Sequence, residues 1–143
     1  MIKDLLTTAL TTAGCTKILY ESDKLAGITS DQIEQTDIIG YIIEPNTLTF
    51  DVKSNGVQRI YSPHYVEIIA QVKPEDTAVN NEVLLGSLAL IAEKFIYQLV
   101  ISGNFKKITS VQAEKVQESK YDANVIGWSL PLQLNYLEMK ENC

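Results

Sequence analysis

The sequence is almost without arginine: Arg59 is the only one among 143 residues, and the net charge is −6. Proteins that read nucleic acids carry a basic surface, with arginine for paired contacts to phosphate. Neither feature is present here. The composition therefore argues against sequence-specific recognition of DNA or RNA.

Residue types that support catalysis and metal binding are also scarce. The chain has one histidine, His64, and seven glycines that are scattered singly. No metal-binding motif is present, and no glycine-rich loop precedes a helix to hold a phosphate. We therefore predict no enzyme, with no catalytic residue, no cofactor and no metal site. An enzyme that uses His64 and nearby carboxylates remains a distant alternative.

Features of secretion and of membrane insertion are missing as well. The two cysteines, Cys15 and Cys143, lie near opposite ends of the chain, and their spacing does not indicate a disulfide. The first residues, MIKDLLTTALTTAG, do not resemble a secretory signal. One apolar run, Val83 to Ile101, approaches the length of a membrane span, but Glu93 and Lys94 lie near its middle. It predicts a buried helix of a soluble protein, with no membrane partner.

What is present is the pattern of a single α+β domain over residues 1–143. A hydrophobic content of 45% is enough for a core of its own. The apolar periodicities predict, in order, a helix over 2–13 capped by Gly14, strands over 16–20, 38–43, 47–52, 57–61 and 65–72, a long helix from about 77 to 102, and strands over 105–119 and 125–137. Helices that bracket runs of antiparallel strands favour an antiparallel or mixed sheet with the long helix packed on it.

Two hairpins follow from this pattern. Asn55 and Gly56 between strand-like runs are typical of a tight turn. The strand over 105–119 is polar on both faces, which predicts that it and the strand over 125–137 form an extended hairpin projecting from the domain. A plain meander with one solvated face is the competing interpretation. Pro131 places an edge or a bulge in the last strand, because proline donates no ladder hydrogen bond.

The order of elements resembles the tail terminator (tail-completion) proteins of tailed bacteriophages, and related ring-forming neck proteins of the head–tail junction. The residues that carry this resemblance are MIKDLLTTALTTAG, the helix NNEVLLGSLALIAEKFIYQLVISG and the closing YDANVIGWSLPLQLNYLE. The resemblance covers nearly the whole chain and rests on topology rather than on a motif.

The resemblance implies a structural virion protein, assembled in the host bacterial cytoplasm. Such proteins form a ring, commonly of six subunits, that caps the tail tube and joins it to the neck; a twelve-subunit ring would fit a neck protein. The implied partners are the tail tube protein and neck or connector proteins, with DNA only passing through the channel. A connector ring of another kind, or a non-viral α+β binding or adaptor module, are the alternatives.

The residues expected to contribute to subunit contacts come from the hairpin turn, the polar strand and the end of the last strand. They are Ser54, Asn55, Gly56, Arg59, Lys107, Thr109, Val111, Lys115, Gln133 and Asn135. The long helix adds to them, because its apolar residues cover more than one face.

Overall fold

The structure is a computed structural model. It describes residues 2–20, 37–44, 47–61, 64–72, 78–103, 108, 110–120 and 123–132. Two helices and seven strands follow one another as α1 (Ile2–Ala13), β1 (Lys17–Tyr20), β2 (Ile38–Ile43), β3 (Leu48–Lys53), β4 (Gly56–Tyr61), β5 (His64–Gln71), α2 (Ala78–Ser102), β6 (Glu114–Lys120) and β7 (Ala123–Leu132). The predicted α+β class is confirmed.

Five strands form one mixed sheet in the order β1-β2-β5-β7-β6, and β3 and β4 form a separate two-stranded sheet. β1 runs parallel to β2, and the other neighbours in the large sheet are antiparallel. Thr16 makes two hydrogen bonds to Ile38 where β1 and β2 begin to pair. Its backbone N–H donates to the Ile38 carbonyl over 2.8 Å, and its hydroxyl accepts from the Ile38 N–H over 2.9 Å.

Helix α1 ends as its sequence predicts. Gly14 has a positive φ of 121°, which glycine adopts without strain. The Gly14 N–H donates to the Thr11 carbonyl over 3.2 Å, and the Cys15 N–H donates to the Leu10 carbonyl over 3.0 Å. These are the two hydrogen bonds of a Schellman cap, and they turn the chain directly into β1.

Both helices contribute to one core on one face of the large sheet. Its fully buried members include Leu6 and Leu10 from α1, Leu88 and Phe95 from α2, and Ile68 from β5. The opposite face has a second buried cluster made entirely of strand residues: Leu19, Ile39, Tyr41, Ile69, Val116 and Val125. The inner strands β2 and β5 are therefore apolar on both faces, which explains runs such as IIGYII in β2.

The long polar strand predicted over residues 105–119 is wrong at residues 108 and 110–113; residues 105–107 and 109 lie outside the described residues. β6 begins only at Glu114, and residues 110–113 are not in a strand. Ile108, Val111 and Ala113 instead pack against the helix-covered core. These three side chains are partly buried against that core, a contact that alternation alone does not predict.

The prediction that the last two strands form a projecting hairpin is also wrong. β6 and β7 pair within the large sheet, whereas β3 and β4 stand apart from it. Lys120, Ala123 and Asn124, expected in the connection, belong to the paired strands. Pro131 fits its prediction as an edge position, because the last β6 partner along β7 is Ser129.

Candidate functional site

The β3–β4 hairpin presents an apolar face to solvent. Val52 lies directly opposite Val57 in the register, and Phe50 is two residues before Val52, on the same side of the strand. Phe50, Val52 and Val57 are 59%, 77% and 58% exposed. We call these three residues the hairpin surface. Its exposure is notable because an isolated two-stranded ribbon is only marginally stable in water, so a partner would stabilise it.

Helix α2 presents a second apolar face, on the side away from the sheet. Val83, Leu90 and Tyr97 recur every seven residues, and Val100 and Ile101 continue the row; all five are between 54% and 67% exposed. Spacing by seven keeps side chains on one side of a helix. We call these five residues the helix surface. The same helix buries Leu88, Phe95 and Leu99 on its sheet side, so it is apolar on two opposite sides.

A shallow apolar groove adjoins α2 on the sheet side. It has a volume of about 370 Å³ and is lined by Ala89, Ala92, Glu93, Ile96, Val111, Ala113, Trp128 and Leu130. Glu93 is the only charged residue in this lining. The groove exists because the segment before β6 packs beside α2 instead of extending the sheet.

Trp128 fixes the position of α2 over the sheet. Its indole Nε1–H donates to the Leu85 carbonyl of α2 over 2.9 Å. We expect Trp128→Phe, which keeps an aromatic ring but removes the donor, to lower the free energy of unfolding by about 1–2 kcal/mol. Urea denaturation followed by circular dichroism measures this, and an unchanged midpoint would contradict the role of the hydrogen bond.

Cys15 follows the end of α1 and is buried in the core, and burial raises the pKa of its thiol from 9.0 to about 12. The folded state therefore favours the neutral thiol, while the unfolded chain ionises near the ordinary value. We expect stability to fall as pH rises from about 9 towards 12, by up to about 1.4 kcal/mol per pH unit. Denaturation at pH 8 and pH 10 measures the effect, and Cys15→Ala should lose this part of the pH dependence. An equal slope in both proteins would contradict the prediction.

The predicted contact residues fall into three groups. Ser54 and Asn55 form the exposed turn of the hairpin, the exposed Gly56 begins β4, and Arg59 is the register partner of Phe50 in β4. Lys115 is exposed in the edge strand β6, whereas Val111 is half-buried and lines the groove beside α2. Lys107, Thr109, Gln133 and Asn135 lie outside the described residues.

The sequence reasoning anticipated the surplus of apolar residues on α2 but missed the hairpin surface. The signal was present in the spacing: Phe50 and Val52 alternate in β3, and Val57 follows the turn at the distance that places it opposite Val52. In β3, the exposed Phe50 and Val52 alternate with the exposed Thr49 and Asp51, and an exposed two-stranded ribbon of this kind gains stability from a covering element.

His64, the residue of the alternative enzyme hypothesis, begins β5 and is only 8% exposed. Its burial lowers its pKa, an effect that the negative charge of Glu44 opposes. Ser62, its closest candidate nucleophile in sequence, lies outside the described residues. Across the part of the chain that the structure describes, no three histidine, cysteine or acidic side chains come together as metal ligands would.

By length and composition alone, α2 could cross a membrane. Its segment Asn81–Ser102 has a mean hydropathy of 1.6, and 22% of its most apolar window is buried. A core helix passes the same test, and α2 packs on the sheet through Phe95 and Leu99. The absence of a membrane partner stays a prediction.

These features define a class: an α+β protein with two helices on one face of a mixed five-stranded sheet, a separate hairpin and two exposed apolar surfaces. The sequence matches no protein-family model, and no curated protein is significantly similar to it.

Proposed function

We propose that this protein is a ring-forming structural subunit of a phage virion, a tail terminator that caps the tail tube and joins it to the neck. The observation that supports this best is the pair of different apolar surfaces on one chain, the hairpin surface and the helix surface. Surfaces that differ from each other favour head-to-tail contacts, and such contacts form a ring when the rotation between subunits closes.

The charge of the chain agrees with this function. DNA passes through a ring more easily when the wall of the channel does not bind its phosphates. A chain with a net charge of −6 repels the negatively charged phosphates. The family assignment itself comes from the resemblance in element order. A connector ring with a different subunit number shares every one of these features and is the nearest alternative.

Assembly state tests the proposal directly. The purified protein is examined at high concentration by light scattering, native mass spectrometry and negative-stain microscopy, with and without the tail tube protein. We expect a closed ring of six subunits that binds the end of tubes. Twelve subunits would indicate a neck ring instead. A strict monomer under all conditions would overturn the proposal, and capture of partners that are not virion components would favour an adaptor module.

A further inference from the structure

We propose that neighbouring copies of this chain contact each other head to tail, with the hairpin surface of one copy seated on the helix surface of the next. This inference rests on the proposed function as a ring subunit and names the contact that would build the ring. Each surface is thus covered by another copy of the chain. The hairpin surface contacts the helix surface of the next copy, and the helix surface contacts the hairpin surface of the copy before.

Both surfaces are built from large apolar side chains that are more than half exposed. Contiguous exposed apolar patches of about 300–600 Å² on a monomer are often functional. A stable protein–protein interface buries about 800 Å² on each partner, and only slightly more than half of that area is apolar. An apolar centre of this kind with polar neighbours around it is the composition expected of such an interface.

The whole hairpin is somewhat shorter than the helix surface. Val83 to Ile101 covers 19 residues of α2, or about 27 Å along the helix axis. Each strand of the hairpin has six residues, or about 20 Å. A hairpin laid along the helix would therefore cover most of the row of exposed side chains without reaching beyond α2.

The charges of the two segments are opposite. The hairpin strands and turn, residues 48–61, contain one acidic residue, Asp51, and two basic residues, Lys53 and Arg59. Helix α2 contains two acidic residues, Glu82 and Glu93, and one basic residue, Lys94. The hairpin is thus a segment of net positive charge in an acidic chain, and α2 is net negative. A contact between hairpin and helix therefore brings together segments of opposite net charge.

A mixing experiment distinguishes head-to-tail from two-fold contacts. Val52→Glu places a charge in the hairpin surface, and Leu90→Glu places one in the helix surface. We expect each variant alone to be monomeric. Mixed at equal concentration, the two should form a heterodimer and nothing larger, because the intact hairpin of the Leu90→Glu chain can still bind the intact helix of the Val52→Glu chain. Native mass spectrometry counts the subunits.

Matched controls separate these effects from added charge and from misfolding. Thr49→Glu puts the same charge on the polar side of the hairpin, and Thr8→Glu puts it on the exposed side of α1; both should assemble like the wild type. Circular dichroism and thermal unfolding compare the folding of all four variants. Formation of the heterodimer is itself proof that each variant retains one functional surface.

Several outcomes would overturn the inference. A Val52→Glu protein that still dimerises alone would indicate a two-fold helix contact, and a mixture without heterodimers would exclude the head-to-tail pairing. Rings that survive both substitutions would refute this contact but leave the proposed function intact, whereas a monomeric wild type would overturn both. Flotation of the wild-type chain with neutral phosphatidylcholine vesicles, abolished by Leu90→Glu, would assign the helix surface to a bilayer instead.

Discussion

Replacing Gly127 by alanine is expected to cost about 3 kcal/mol or more of folding free energy, and of the glycines that the structure describes Gly127 has the least room for a Cβ atom. Gly127 lies in β7, opposite Ile69 of β5. A Cβ atom there would overlap the Ile68 carbonyl oxygen and lie 2.7 Å from Ile69 Cα. Both obstacles are backbone atoms of the neighbouring strand, so no side chain can rotate away to make room.

The measurement is a denaturant titration, with soluble expression as the first indication. Gly86→Ala provides a matched control in α2, because a Cβ at Gly86 meets nothing within 4 Å. Alanine there should stabilise the protein by about 0.5–1 kcal/mol, since glycine is a poor residue inside a helix. A Gly127→Ala protein that loses less than about 1 kcal/mol would show that β5 and β7 can separate at this point without breaking the sheet.

Gly127 also illustrates what the sequence could not predict. In VIGWSLPLQLNYL it is one of several small or polar residues on the alternate side of an apolar strand, and nothing distinguishes it from Ser129. Its constraint arises only from the strand that becomes its neighbour. The order β1-β2-β5-β7-β6 places β5 beside β7 although the whole of α2 and β6 separates them in the chain. Local periodicity contains no information about that pairing.

Elements with strong local signals were predictable. α1 with its Gly14 cap, strand β2 and the Asn55–Gly56 turn all agree with the structure within a residue or two. Each depends on short-range physics: helical periodicity, a left-handed residue, or a turn that twists like its strands.

The candidate site was predictable only in outline. The surplus of apolar residues on α2 could be counted from the sequence, but which of them face solvent depends on where the sheet covers the helix. The hairpin presented the opposite difficulty. Its alternation was correct, yet the sequence gives no reason why β3 and β4 leave the large sheet while the more polar β6 joins it. β6 pairs with β7 at the edge of the large sheet. The polarity of a strand therefore does not predict whether it projects from the domain.

The two sides of α2 are expected to separate stability from assembly. Phe95 is fully buried in the core, and Tyr97, two residues later, is 61% exposed. Phe95→Ala should lower the free energy of unfolding by about 3–5 kcal/mol, because it removes a buried ring and leaves a cavity. Tyr97→Ala should change the stability of the monomer by less than about 0.5 kcal/mol, while it weakens subunit association.

Both variants are best measured by urea denaturation at a concentration low enough for the wild type to be monomeric, with association measured separately by light scattering at high concentration. Tyr97→Phe is the matched control. It removes only the hydroxyl and keeps the aromatic side chain with its apolar area, so this variant should assemble normally. If Tyr97→Ala destabilised the dilute monomer as much as Phe95→Ala, the outer side of α2 would be covered within a single chain. The helix surface would then belong to the core, and head-to-tail assembly would have to use another part of the molecule.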